Sequence, residues 1–249
     1  MPNKKKTDRL DNLLIRRGLA ESLVAARALI MSGSVIVNDQ RVDKPGVRVD
    51  ESSDVRLKGH ESRFVSRGGE KLSAAISALG IEDAFVNRTI LDVGASTGGF
   101  TDCLLQLGAQ CSIALDVGTA QLDWKLRQDP RVISVEQTDI REFKANNYPS
   151  PDWVVADLSF TSLSKIIPFL QRAAPNARLL LLVKPQFELP REKIPSGGIV
   201  TNEEDRLLAL KDVLQALHTQ GYIVEKWIDS PLTGRQGNRE IFVLTGAKA

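Results

Sequence analysis

The stretch LDVGASTGGF, residues 91–100, decides how this chain folds. It reads as a strand that runs into a glycine-rich turn and on into a helix. From about residue 89 the same grammar repeats. Apolar runs of strand length, TILDVG, SIALDVG, RVISV, DWVVADLS and RLLLLVKP, alternate with helical patterns, and YIVEKWID and REIFVLTG close the series. Such alternation predicts a parallel, doubly wound sheet. The ligand crevice of that sheet lies beyond the carboxyl ends of its strands. Asp92, Asp116, Asp157 and Lys184 all fall at those ends.

The turn itself is not a dinucleotide fingerprint, because G-x-G-x-x-G asks for glycine where this chain has Ser96. Its D-x-G-x-x-x-G form resembles the signature turn of Rossmann-like methyltransferases. That resemblance implies a class I sheet, mostly parallel with the last strand antiparallel, and S-adenosylmethionine (AdoMet) as cofactor. Gly94 and Gly98 are expected to let the backbone approach the ligand, with Ser96, Thr97, Gly99 and Phe100 completing the turn. Asp92 offers an anion to the cationic amino group of AdoMet. Asp116, 22 residues after Gly94, is placed with Val117 for the ribose hydroxyls. Asp139, followed by Ile140, falls where an adenine amino group is read.

The residues after the fourth strand constrain the acceptor. Amino-group methyltransferases favour N-P-P-Y there, whereas this chain has DLSF, residues 157–160, and no Pro-Cys pair for pyrimidine carbon chemistry. A hydroxyl acceptor needs only proton removal and alignment. FVSRGGEKLSAA, residues 64–75, adds a basic, doubly glycine-hinged turn before an amphipathic helix, with Lys71 expected on its first turn. The helix dipole disfavours a cation there, so Lys71 is either a misfit tolerated by solvent or a charge held for a purpose.

Lys71, Asp157, Lys184 (in VKPQFE) and Glu240 (in GNREIF) resemble the Lys-Asp-Lys-Glu tetrad of FtsJ-like RNA 2′-O-methyltransferases. Nearly end to end, the chain is similar to the TlyA or haemolysin A family, through SRGGEKL, DVGASTGGF, DLSF, KPQFE and GRQGNRE in that order. The resemblance implies methyl transfer from AdoMet to a ribose 2′-hydroxyl on cytidines of ribosomal RNA. Lys184 is then expected to be the base, steered by Asp157, with Lys71 and Glu240 positioning the ribose. A lysine holds its proton to about pH 10.4, so this expectation requires the carboxylates to sit nearer the other lysine. Two positions depart from the family. Its Arg-x-Trp-Val reads Ser62-Arg63-Phe64-Val65, and Ser196 stands where relatives carry lysine.

The front of the chain has a different character. Leu10, Leu13 and Leu14 share a helical face that Gly18 should stop, and Ser22 caps a second helix carrying Leu23, Ala26 and Ile30, ended by Gly33. SVIVN-DQ-RV reads as a hairpin around Asn38 and Asp39, and DVRLKG as a strand. RLDNLLIRRGLAESLVAARALIMSGSVIVN resembles the S-four-type RNA-binding domain, a small α+β unit. Arg9, Arg16, Arg17 and Arg27 are its candidate phosphate contacts, and Arg67 is a further RNA contact. The expected domains are an RNA-binding domain over 1–60, a linker over 61–67 and a methyltransferase domain over 68–249.

Charge supports the division. Residues 1–67 hold 14 Lys and Arg against 9 Asp and Glu, while the whole chain is nearly balanced at +2. A basic front suits a polyanion such as ribosomal RNA or a ribosomal subunit. Cys103 and Cys111 make no disulfide framework, and His60 and His218 make no metal site, so no metal is expected. The longest apolar stretch, LLLLV at 179–183, is too short for a bilayer, and the N-terminus lacks a leader pattern. A cytoplasmic monomer without membrane contact is the expectation. The competing classes are a haemolysin-like membrane-active protein and an RNA-binding module without catalysis. A small-molecule O-methyltransferase is disfavoured by the basic front.

Overall fold

Residues 7–38, 40–51, 53–58, 63–234 and 237–246 are described by the computed structural model, and they form two compact units that part before Arg63. The first contains β1 (Thr7–Arg9), α1 (Leu10–Arg16), α2 (Leu23–Met31), β2 (Val35–Val37), β3 (Gln40–Val42), β4 (Arg48–Asp50) and β5 (Val55–Leu57). Leu10, Leu13, Leu14, Ala26 and Ile30 pack on Val35, Val37, Val49 and Val55 as its core. The start and stop signals operate as the sequence predicts. Ser22 Oγ accepts from Ala25 N at 3.2 Å, and Gly18 takes φ +68° just past α1. Leu23 differs: as the first residue of α2 it overhangs this small core and stays 38% exposed. β2 pairs with β3 so that Val37 faces Gln40, with Asn38 at φ +47° in the turn. Asp39 lies outside the described residues. The β1–β4 pair is hard to see in the sequence, because each strand has three residues and β1, Thr7-Asp8-Arg9, has no apolar position.

The second unit is built from α3 (Arg67–Leu79), β6 (Thr89–Val93), α4 (Gly99–Gln106), β7 (Cys111–Leu115), α5 (Trp124–Arg127), β8 (Val132–Val135), β9 (Trp153–Ala156), α6 (Leu163–Ala173), β10 (Arg178–Val183), α7 (Pro185–Glu188), α8 (Glu203–Thr219), β11 (Val224–Asp229) and β12 (Ile241–Thr245). Its seven strands lie in the order β11-β12-β10-β9-β6-β7-β8. All pairs from β10 to β8 are parallel, and β12, the last strand, runs antiparallel to both its neighbours. This is the doubly wound, class I methyltransferase arrangement expected from the alternating pattern.

Alternate residues of each strand serve opposite layers. Leu91, Val93, Leu179, Leu181 and Val183 pack with Ile166, Ile167 and Leu170 of α6 and Val213 and Leu217 of α8. Ile90, Leu180, Leu182 and Phe242 pack the other way, on Leu72 and Ile76 of α3 and Leu104 of α4. Each such buried Leu or Ile contributes about 1.5–3 kcal/mol. Two filled layers hold the strand ends, and hence the crevice, in fixed register.

Two expectations about the entry to this unit are corrected. Residues 63–67 do not act as spacer. Phe64 is buried in the α3–α4 layer, and Asp102 of α4 accepts from Val65 N at 2.8 Å. Residues 61 and 62 lie outside the described set. Nor do the glycines hinge a turn before the helix. α3 starts at Arg67, so Gly68 and Gly69 sit in its first turn and Lys71 lies beyond it. The reason is steric: a Cβ on Gly69 would stand 2.8 Å from Gly99 O, and one on Gly99 would stand 2.7 Å from Gly69 N. α3 and α4 therefore begin with their backbones in contact.

Candidate active site

The crevice opens at the carboxyl ends of β6, β9 and β10, where three turns converge. The turn after β6 is tight because Gly94 N and Ala95 N both donate to Leu115 O, at 2.9 and 3.1 Å. Gly94 holds φ +83°, and a Cβ there would meet Asp157 O at 2.9 Å. Glycine is thus required so that the β6 and β9 ends can touch. Gly98 likewise backs onto protein, since a Cβ would meet Leu126 Cδ1 at 2.3 Å. It does not line the crevice.

Two hollows, about 420 and 470 Å³, lie side by side and share Gly94, Ser96, Asp157, Ser159 and Phe160 as common wall. The first is lined by Lys71, Lys184 and Glu240 together with Asp157, and also by Arg67, Thr97, Gly99 and Phe100. The second is lined by Asp116, Val117, Asp139 and Ile140. Widely separated stretches of sequence therefore meet around one turn.

Inside the first hollow the four charged residues form two ion pairs. Lys71 on α3 donates to Glu240, which directly precedes β12, and these side chains are 12% and 3% exposed. Lys184, directly after β10, has its Nζ 2.6 Å from Asp157 Oδ1, off the line of a hydrogen bond, and donates to Ser159 Oγ at 3.1 Å. The carboxylates do not gather at one lysine, as the base assignment required. Each lysine has its own, because α3 and the entry to β12 bring Lys71 to Glu240, while the adjacent ends of β9 and β10 bring Asp157 to Lys184.

The second hollow presents acids held by backbone. Asp116 Oδ2 accepts from Ser96 N at 2.8 Å and Oδ1 from Gly118 N at 2.7 Å. Each oxygen keeps a further lone pair for a ligand hydroxyl. Asp139 is gripped by Arg141 through both oxygens, at 2.9 and 2.6 Å, and the guanidinium holds its carboxyl below the usual carboxylate range.

Asp92 is the principal correction. It lines neither hollow and is fully buried under the turn, where Thr101 Oγ1 donates to Oδ2 at 2.7 Å and Oδ1 has no partner. Burial pushes its carboxyl up to about 7. It lies one residue inside β6, and β-strand alternation points it to the α4 layer instead of the crevice.

Other lining residues have no signal of their own in the sequence. Gln186 and Phe187 of α7 and Asn238 all face the first hollow. Asn238 is buried and ties the adjoining loop, donating to Gly198 O and accepting from Val200 N, both at 2.8 Å. Phe160, at φ +64° and 93% exposed, packs its ring 5.3 Å from Phe187. The motifs KPQFE and DLSF mark these segments, but each points to a single charged residue, Lys184 or Asp157. Arg235 and Gln236, within the GRQGNRE motif, lie outside the described residues.

In the first unit, Arg9 and Arg27 both reach the buried Asp11, at 2.7 and 3.2 Å, and remain about half exposed. Arg16 contacts Asp8 and Glu51 at 3.4 Å. Arg17 departs from its expected place in the phosphate-binding set: its guanidinium donates to Ser53 O at 2.8 Å and Glu51 O at 2.6 Å, binding the helix to the β-turn. Among the described residues no cluster of three metal-ligating side chains occurs, and no helix is long and apolar enough to cross a membrane.

Comparison with known proteins agrees with this architecture. Residues 64–247 match the FtsJ-like methyltransferase family, and residues 8–55 match the S4 domain. The 16S/23S rRNA (cytidine-2′-O)-methyltransferase TlyA of Mycobacterium tuberculosis is 40% identical over 94% of this chain and 88% of its own length. YqxC of Bacillus subtilis, a candidate rRNA methyltransferase by name, is 42% identical over 96% of this chain and 85% of its own. A solved structure from Streptococcus thermophilus that carries a hemolysin label superposes with a TM-score of 0.76 at 38% identity, covering 98% of this chain and 90% of that one. The chain belongs to the FtsJ-like methyltransferase family and shares with the TlyA proteins the joining of that domain to an S4 domain.

Proposed function

We propose that this enzyme transfers a methyl group from AdoMet to the 2′-hydroxyl of a cytidine in ribosomal RNA. The observation that carries the reading is the meeting of Lys71, Asp157, Lys184 and Glu240 in one hollow walled by the Gly94 turn. The neighbouring hollow fits AdoMet chemically. Asp116 has lone pairs for ribose hydroxyls, Val117 and Ile140 offer apolar surface for a purine, and Asp139 offers a carboxylate for its amino group. Asp157 adds an anion on the shared wall, suited to a cationic ligand. When bound, AdoMet supplies a methyl group on a positively charged sulfur, activated towards an oxygen nucleophile.

The chain's own work is then alignment and proton removal. Lysine acts as a base only as the free amine, so a proton must first leave Lys184 Nζ. It leaves to solvent through the open hollow, while Asp157 Oδ1, 2.6 Å away, steers the Nζ. Lys184 then removes the proton of the 2′-hydroxyl as the oxygen becomes nucleophilic. The buried Lys71–Glu240 pair forms a fixed wall against which the ribose is positioned. Arg67, exposed at the rim of the hollow, and the half-exposed Arg9, Arg16 and Arg27 of the S4 unit supply phosphate contacts, which give affinity and orientation with little sequence information.

The test is transfer of a labelled methyl group from AdoMet to unmodified ribosomal subunits and to free ribosomal RNA, with nuclease mapping of the product. Label in a 2′-O-methylcytidine is the expected result. Label on a base, or none with either substrate, overturns the reading.

A further inference from the structure

Two segments of the crevice run side by side and are tied at three places. One follows β9 through Asp157, Ser159 and Phe160 to the start of α6, and the other follows β10 through Lys184 into α7. Lys184 Nζ meets Asp157 Oδ1 and Ser159 Oγ, and the rings of Phe160 and Phe187 stand 5.3 Å apart. The third tie is the carboxylate of Glu188, which ends α7 and lines neither hollow. It accepts from Ser162 Oγ at 2.6 Å, from Leu163 N at 2.7 Å and from Ser164 N at 3.4 Å. Glu188 thus caps α6 from another segment. Ser162 occupies the N-cap position, yet its hydroxyl makes no cap bond to its own helix and turns to Glu188.

A remote cap costs more than a local one. A serine or aspartate at the N-cap satisfies the first amides of its own helix. Glu188 does so from 25 positions away, and burial pushes its carboxyl up from the ordinary value. What the remote cap adds is a link between segments. α7 is a single turn of four residues, too short to hold its place unaided. Lys184 leads directly into it, and across from it Phe160, at φ +64°, holds a backbone conformation that its surroundings must impose. Resting on the proposed methyl transfer to RNA, we infer that Glu188 is a positioning residue. By fastening α7 to the start of α6 it sets Lys184 against Asp157, and so governs the rate of transfer while leaving the binding of RNA and AdoMet unchanged.

The experiment compares the parent with E188A, E188Q and S162A in methyl transfer to unmodified ribosomal subunits. Calorimetric titration with S-adenosylhomocysteine counts the folded sites in each preparation. E188A is expected to lose about tenfold to hundredfold in kcat per site, the consequence of a base misplaced by about an ångström. KM for subunits and the affinity for S-adenosylhomocysteine should stay within about threefold, because no group lining either hollow is changed. E188Q keeps an oxygen for Leu163 N and an amide for Ser162 Oγ, and should recover most of the loss. S162A removes one of the three hydrogen bonds and should lower kcat per site by at least about threefold with the fold intact. It decides the matter if E188A does not fold. A tie that served the fold alone would lower the number of sites and leave kcat per site within about twofold of the parent, which overturns the inference. A loss confined to KM or to S-adenosylhomocysteine affinity also overturns it, as does an E188Q no faster than E188A. Absence of transfer by the parent itself would instead overturn the function on which the inference rests.

Discussion

Lys71 and Glu240, 169 positions apart in the chain, close on each other as an ion pair with both side chains nearly buried. Removing one member strands the other. Lys71→Met is expected to destabilise the protein by about 3–5 kcal/mol, because Glu240 keeps an uncompensated charge away from water. The double variant Lys71→Met, Glu240→Leu should regain most of that loss in urea unfolding while remaining inactive in methyl transfer. A double variant with near-parent activity would show that the pair serves the fold alone.

Lys184→Ala separates chemistry from binding. Transfer should fall at least ~10²-fold, the usual worth of a positioned base. Calorimetry with S-adenosylhomocysteine should change little, since Lys184 does not line the second hollow. Retention of transfer within a few-fold would remove Lys184 from the role of base.

Gly94→Ala places a Cβ 2.9 Å from Asp157 O at φ +83°. The left-handed conformation costs about 1–2 kcal/mol for a residue with a Cβ, before the clash is added. A lower Tm and at least tenfold weaker S-adenosylhomocysteine binding are expected, because the turn walls both hollows.

Asp92 predicts a pH dependence of stability. Its folded carboxyl titrates at about 7 against 3.8 for the ordinary group, raised by burial. Below both values the folded and unfolded chains carry the same proton. Between them only the folded chain keeps it, so this stabilising contribution is lost as pH rises towards 7. Asp92→Asn should flatten the slope between about pH 4 and 7, by up to roughly 4 kcal/mol across that window. Identical pH profiles for parent and variant would place the proton elsewhere.

In the S4 unit, Arg16 and Arg17 are expected to separate in behaviour. Arg16→Gln should weaken RNA binding and lower the slope of log K against log salt by about one, with Tm unchanged. Arg17→Gln removes two hydrogen bonds to backbone carbonyls and should destabilise the unit by about 1–3 kcal/mol. Equal effects of both on the salt slope would return Arg17 to the phosphate contacts.

Much of the fold is legible in the chain because the physics is local. The seven apolar runs announce their strands, and continuous runs such as RLLLLV and WVVA announce a sheet covered on both faces. Gly18 and Ser22 mark helix ends through their own backbone and hydroxyl. Partner choice is not legible. That Lys71 takes Glu240 and Lys184 takes Asp157 depends on which strand ends become neighbours. The burial of Asp92 depends on Thr101 arriving from α4, and the glycine pair of α3 reads as a hinge until its contact with Gly99 is seen. Glu188 is hidden for the same reason, since a carboxylate that caps a distant helix has no signature in sequence.

The backbone contact between Gly69 and Gly99 has an evolutionary corollary. One helix carries a tetrad lysine and the other leaves the glycine turn, and they meet with no side chain between them to trim or enlarge. Mutation can neither shim them apart nor slide one without dragging its companion. Any reshaping of the crevice therefore falls to segments that line it without such a backbone contact, such as the exposed Phe160 and its neighbour Phe187.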